Sequence, residues 1–188
     1  MEPDIAELEN QMAAAETEMQ ALVSGLTEEQ GTAQPPNGSW SVASCLDHIA
    51  RTNDAYLAAM HPVAANARAS RKMRRGAVRP GPLGRLFVTL LEPPVKPGRK
   101  IKAPRTIQPS AGVSLADASA GFLASQKEIR SFLHANADLD LTGVMFPNPF
   151  VRGLRFSLAT GLCNLLAHER RHLWQARQVL IAQDHSKQ

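Results

Sequence analysis

His168 and His172 stand four residues apart in the stretch His168-Glu169-Arg170-Arg171-His172, inside a long apolar-periodic run. On a helix that spacing is close to one turn, so both imidazoles project from the same face. Two imidazoles on one face suit a single metal ion, and a third ligand must then come from elsewhere in the chain. His48, alone near the middle of another apolar-periodic segment, is the candidate. Three neutral imidazoles with an open position match the catalytic type of metal centre, not the closed structural type, and suit zinc, nickel, copper or iron. Such a centre holds water or a thiol and lowers its pKa by direct charge stabilisation.

The plainer reading of each histidine has weight. A helical His-x-x-x-His is often a surface or hydrogen-bonded pair, and a single His beside an apolar stripe is often structural. The metal reading gains from the company these residues keep. Gly161, Asn164, Leu165, His168, His172 and Gln175 share one helical face that mixes small or polar groups with the two histidines. Burying two imidazoles without partners costs roughly a few kcal/mol each, which a metal offsets. Asn164, Gln175 and Thr52 are the candidates for orienting an imidazole through its other nitrogen. Asp47 and Glu169 adjoin ligands in sequence, so on a helix each points about 100° away, and neither is taken as a general base. Cys45 is read as a buried, inert thiol before a fourth, sulfur ligand. His61, His134 and His185 fall at helix ends or in the tail and are left outside the site.

Positioning three such groups requires long helices. Ile5, Leu8, Met12, Ala15, Met19 and Leu22 recur at spacings of three and four, which predicts a helix over 3–24 that opens on Pro3. After a linker from Thr27 to Ser39, broken by Pro35-Pro36-Asn37-Gly38, Ser41 can cap a second helix over 41–61, with Trp40 stapling against Cys45. A third helix opens at Ser114, with Asp117 completing a capping arrangement, and covers 114–135; the fourth covers 157–182. Four amphipathic helices with one long crossover, 62–113, predict an all-α four-helix bundle formed as a single domain over residues 1–188. No strand pattern is evident, and Leu83 to Leu91 reads as a short helix within the crossover.

The net charge of +4 is unevenly spread. Between Asn66 and Arg105 twelve Lys or Arg face a single acid, Glu92, leaving nine basic and sixteen acidic residues elsewhere. The crossover reads first as a solvated charged loop, and second as an anion-binding lid whose arginines hold carboxylates or phosphates. A nucleic-acid contact is the weakest reading, because no DNA- or RNA-binding signature is present and aromatics are nearly absent from the segment. No apolar run reaches the roughly 18–20 residues that span a bilayer, so no membrane partner is expected. The acidic start, Met1-Glu2-Pro3-Asp4, carries no secretion signal, and two cysteines make no disulfide framework; a cytoplasmic location is the expectation.

Three motifs in order carry a family resemblance: Trp40-Ser41-Val42-Ala43-Ser44-Cys45-Leu46-Asp47-His48-Ile49; Ala103-Pro104-Arg105 followed by Pro109; and His168-Glu169-Arg170-Arg171-His172-Leu173-Trp174-Gln175. Together they resemble the DinB-like (DinB/YfiT) superfamily over nearly the whole chain. The resemblance implies a four-helix bundle whose metal ligands are one second-helix and two fourth-helix histidines, here His48, His168 and His172. It further implies zinc, nickel or another divalent ion, and for several members transfer or isomerisation with low-molecular-weight thiols. The expected activity is thus a metal-dependent one on a thiol or water, thiol S-transferase-like or hydrolase-like, with a small-molecule substrate or thiol as partner. The alternative is a non-catalytic metal-binding or stress-response module. A homodimer is admissible. The basic crossover departs from the simplest members, so the substrate is not carried over.

Overall fold

The computed structural model describes residues 3–35, 38–94 and 103–185. The first helix, α1 (Pro3–Val23), begins on a proline whose missing N–H costs nothing at a helix start. Its stripe from Ile5 to Leu22 is buried as the periodicity requires, and Gly25 follows at a φ of 79°. The linker is less irregular than expected. Thr27 and Gln30 form a reciprocal capping box that nucleates a five-residue helix, α2 (Glu28–Thr32). Pro36 and Asn37, counted on as breakers, lie outside the described residues.

Ser41 caps α3 (Val42–Ala69), accepting from the Ser44 N–H at 3.1 Å. The helix does not stop at His61-Pro62 but runs through Pro62 to Ala69. Proline removes one hydrogen bond there, yet Ala64 and Ala67 beyond it are each 3% exposed and keep the buried stripe going. Packing therefore overrides the local breaker, and the crossover begins after Ala69. Within it lies α4 (Pro82–Leu91), followed by a 3-10 turn at Arg105–Ile107. Phe87 of α4 meets Phe156 edge to face at 5.2 Å, while Leu83, Leu86 and Leu90 point outward. Residues 95–102, which carry Lys96, Arg99, Lys100 and Lys102, lie outside the described residues.

Ser114 caps α5 (Leu115–Asn136), its hydroxyl accepting from the Asp117 N–H at 2.9 Å. Two short strands then correct the expectation of none: β1 (Met145–Pro147) pairs antiparallel with β2 (Arg155–Ser157). Three residues are too few for an alternating pattern to register, and the Asn148 side chain forms the turn by accepting from the Phe150 and Val151 N–H groups. The last helix, α6, covers Leu158–His185, three residues past the expected end.

Helix α3 packs against both α5 and α6, and α1 packs against the same two from the opposite side. The four long helices make the predicted bundle. Its apolar interior falls into two clusters, one around Met60, Phe132, Phe146 and Leu165, the other around Met19, Leu46, Phe122 and Leu173. Between them α3, α5 and α6 contribute buried polar groups: Thr52 and Asn53 on α3, Ser125 and Gln126 on α5, Glu169 and His172 on α6. A polar layer thus crosses the middle of the bundle.

Gly161 shows how closely the apolar layer beside it is packed. A Cβ there would lie 2.8 Å from two ring carbons of Phe146 and 3.1 Å from the Met60 sulfur. Alanine gains about 1 kcal/mol of helix propensity over glycine, but overpacking of this kind costs about 1–3 kcal/mol. Gly161→Ala is expected to lower the urea unfolding midpoint, and an unchanged or raised midpoint would contradict this packing.

Candidate metal centre

Helix α3 presents His48 and α6 presents His168 and His172, one turn apart, across the seam where these neighbouring helices meet. One ring nitrogen from each lies within 4.8 Å of the others. The Nε2 atoms of His48 and His168 are 3.2 Å apart. Two nitrogens bound tetrahedrally to one ion at about 2.0–2.1 Å sit roughly 3.4 Å apart, so this spacing fits shared coordination. Trp40 lies over His48 and His172, with ring centroids 4.6 and 5.7 Å away. His48 is 3% and His172 7% exposed.

Two of the three tautomers are set by what the far nitrogen meets. His48 Nδ1 lies 2.6 Å from the main-chain carbonyl of Ile107, and His172 Nδ1 lies 3.0 Å from Gln175 Oε1. A carbonyl oxygen only accepts, so each Nδ1 carries the proton and each Nε2 keeps a lone pair. His168 Nδ1 is buried with no hydrogen-bond partner among the described residues. Burial lowers the pKa of all three imidazoles. For His172 the value falls to about 3, with the neighbouring His48 and Arg171 adding to the effect. Neutral rings with lone pairs turned to one point are the donor set a borderline-soft divalent ion takes. The three histidines are placed so that they could hold one.

Of the supporting residues expected, Gln175 reaches an imidazole. Thr52 instead donates to the main-chain carbonyl of His48 at 2.8 Å, bracing the helix and leaving the ring alone. Asn164 faces the Tyr56 hydroxyl, which also accepts from Asn148 at 3.3 Å. The Cys45 thiol is fully buried and pushed up to about 12, so it stays a protonated packing group. His61 packs its ring on Phe132, and His134 pairs with Glu9, both away from the triad.

Five contributors escape the expectations drawn from the sequence. Trp40 reads from the sequence as a helix staple alone, yet its indole lies over two of the rings. The Ile107 contact comes from a main-chain atom, which no residue type advertises. Asp47 and Arg51 turn away from the rings, yet both bind the segment carrying Ile107. Glu169 also turns away from the histidines, but inward: it is 0% exposed and faces Asn53, whose Nδ2 donates to it at 2.9 Å. A signal for it existed, since Leu162, Leu165, Glu169, Leu173 and Ala176 keep the stripe's spacing with one acid in the middle.

A family model for the DinB superfamily matches residues 11–176, an interval that takes in all three histidines. No curated protein and no solved structure gives a significant match.

Burial raises the Glu169 carboxyl from 4.5 to about 7. Its contribution to stability is therefore fully present below pH 4.5 and is lost as pH rises to and through about 7. The full change is on the order of 3 kcal/mol. The three histidines act with opposite sign, because a lowered imidazole pKa favours the folded state above the unfolded value of 6.5 and stops doing so as pH falls. Glu169→Gln removes only the first effect. Urea unfolding of metal-free protein from pH 5 to pH 8 should show the variant gaining on the wild type by roughly 2–3 kcal/mol as pH rises, most of the full change. A difference independent of pH would contradict the burial of an ionisable carboxyl.

Proposed function

The chain belongs to the DinB superfamily, and on that footing we propose that it is a metal-dependent enzyme acting through a low-molecular-weight thiol or water, S-transferase-like or hydrolase-like. His48, His168 and His172 are the proposed ligands, and zinc or nickel the proposed ion. The observation that supports this most directly is the convergence of three imidazole nitrogens within 4.8 Å, two from buried histidines and one from the half-buried His168. A bound divalent ion would supply positive charge that lowers the pKa of a thiol or water brought to it. The chain's own residues do the rest. Ile107 and Gln175 hold two rings with Nε2 inward, and Trp40 shields the rings from bulk water, which strengthens every charge interaction beneath it. The substrate is proposed to be a small molecule, the compartment the cytoplasm and the whole chain one domain, in keeping with two free cysteines and one continuous bundle.

The depth of burial favours a second reading, a non-catalytic metal-binding or stress-response module. Two ligands at 3% and 7% exposure under an indole leave little surface for a substrate to approach.

Metal analysis tests the ligands. The wild type is expected to retain about one divalent ion per chain, and His48→Ala, His168→Ala and His172→Ala to lose affinity at least 10-fold each. Wild-type stoichiometry in all three variants would refute the assignment. The two readings separate on thiol chemistry: an enzyme lowers the pH at which an added thiol reacts only when metal is present, and His172→Ala abolishes that shift. A metal-loaded wild type that leaves thiol reactivity unchanged favours the binding module.

A further inference from the structure

The carbonyl that sets the tautomer of His48 belongs to a segment with little regular structure of its own. Ile107 closes the single 3-10 turn in the second part of the crossover, and Pro104 and Pro109 on either side have no N–H to give. What holds this segment to α3 is a set of side chains. Asp47 Oδ2 accepts from the Ser110 N–H at 2.7 Å. Arg51, one turn later on the same face, donates from one terminal nitrogen to Ser110 Oγ at 3.1 Å and from the other to the Thr106 carbonyl at 3.5 Å. The Ile107 side chain is itself 4% exposed, tucked against the bundle. Three anchors, at 106, 107 and 110, leave the Ile107 carbonyl 2.6 Å from His48 Nδ1.

We propose that Asp47 and Arg51 are positioning residues that fix the tautomer of His48 by clamping the 106–110 segment onto α3. Neither touches the metal site. They act through the main-chain carbonyl between their two grips. An acceptor at Nδ1 keeps the proton on that nitrogen and the lone pair on Nε2, the atom turned toward His168. Without the clamp the carbonyl withdraws, the buried N–H loses its acceptor, and the proton can move to Nε2, where it occupies the lone pair the site needs. The charge on Asp47 matters because a carboxylate holds a main-chain N–H more strongly than a neutral acceptor does. The proposal deepens the metal-site reading, yet its first readout requires no metal.

The test uses the full chain labelled with 15N at histidine, with two-bond 15N–1H correlations recorded on metal-free protein and the His48 signals identified by their loss in His48→Gln. Wild-type His48 is expected as the pure Nδ1–H form. Asp47→Ala should convert it to a mixture of tautomers or to the Nε2–H form, and Asp47→Asn, which keeps an oxygen at that place, should restore part of the wild-type signal. Cobalt(II) affinity should fall roughly 10- to 100-fold in Asp47→Ala with little change in the urea midpoint. Arg177→Ala, which breaks only the surface pair with Glu18, should leave both readouts alone. Should Asp47→Ala fail to fold, Ser110→Ala removes the hydroxyl that Arg51 grips and carries the same expectation at smaller amplitude. A wild-type His48 already in the Nε2–H form, or clamp variants with wild-type tautomer and cobalt affinity, overturns the proposal. If the wild type binds no cobalt, the metal reading fails, while the tautomer shift still decides the clamp.

Discussion

A helical bundle that buries two imidazoles, a carboxyl and two amides near its midpoint has to supply each polar atom with a partner or bear the cost of stripping its water. That constraint shapes this molecule more than any single apolar contact. The two apolar clusters lie on either side of the polar layer, and the layer is where α3, α5 and α6 must be in register for the hydrogen bonds to close. Asn53 bonds Glu169 and Ser125 at once, so one side chain of α3 ties to both neighbouring helices. Polar contacts are directional where apolar ones are not, and a mid-bundle layer of this kind selects one relative placement of the helices over others of similar apolar burial.

The same layer divides into two environments by a rotation of about one residue step on α6. His168 and His172 look along the seam with α3 toward Trp40 and the crossover, whereas Glu169 looks into the centre of the bundle. A ring pair that could serve an ion and a carboxyl whose pKa burial raises are kept apart by helical geometry alone. The layer is not fully self-satisfied. Asn53 Oδ1 and His168 Nδ1 have no hydrogen-bond partner from the described residues, and Gln126 lies beside Glu169 without closing a well-aligned hydrogen bond to it. Ordered water commonly serves such groups in protein interiors.

The long helices were legible because a three-and-four stripe averages over five or six turns, and a misplaced residue or two does not hide it. Shorter elements escaped. The α2 capping box, Thr27 with Gln30, was readable as a local signal but had no stripe behind it, and the hairpin strands are too brief for a period. Pro62 misled, since a breaker is a local cost and α3 recovers it through the packing of Ala64 and Ala67. At the site, the three histidines follow from side-chain identity and spacing, which a sequence displays. The Ile107 carbonyl, the indole of Trp40 above the rings and the grip of Asp47 and Arg51 depend on how a crossover loop returns to a helix sixty residues earlier, and nothing in residue identity encodes that return. Thr52 and Asn164 share the right faces but spend their hydrogen bonds elsewhere.

His48 and His168 are separated by 120 positions in the chain. During synthesis the helix bearing His48 emerges early, when the groups that complete its surroundings do not yet exist. Nascent chains fold from the amino-terminal side, so α1 and α3 can form their stripes with the polar positions of α3 still open to solvent. Only the arrival of α6 closes the layer. A lone imidazole on a half-made bundle is a poor trap for stray cations, so any ion that the three histidines could hold would be taken up only once the final helix is in place.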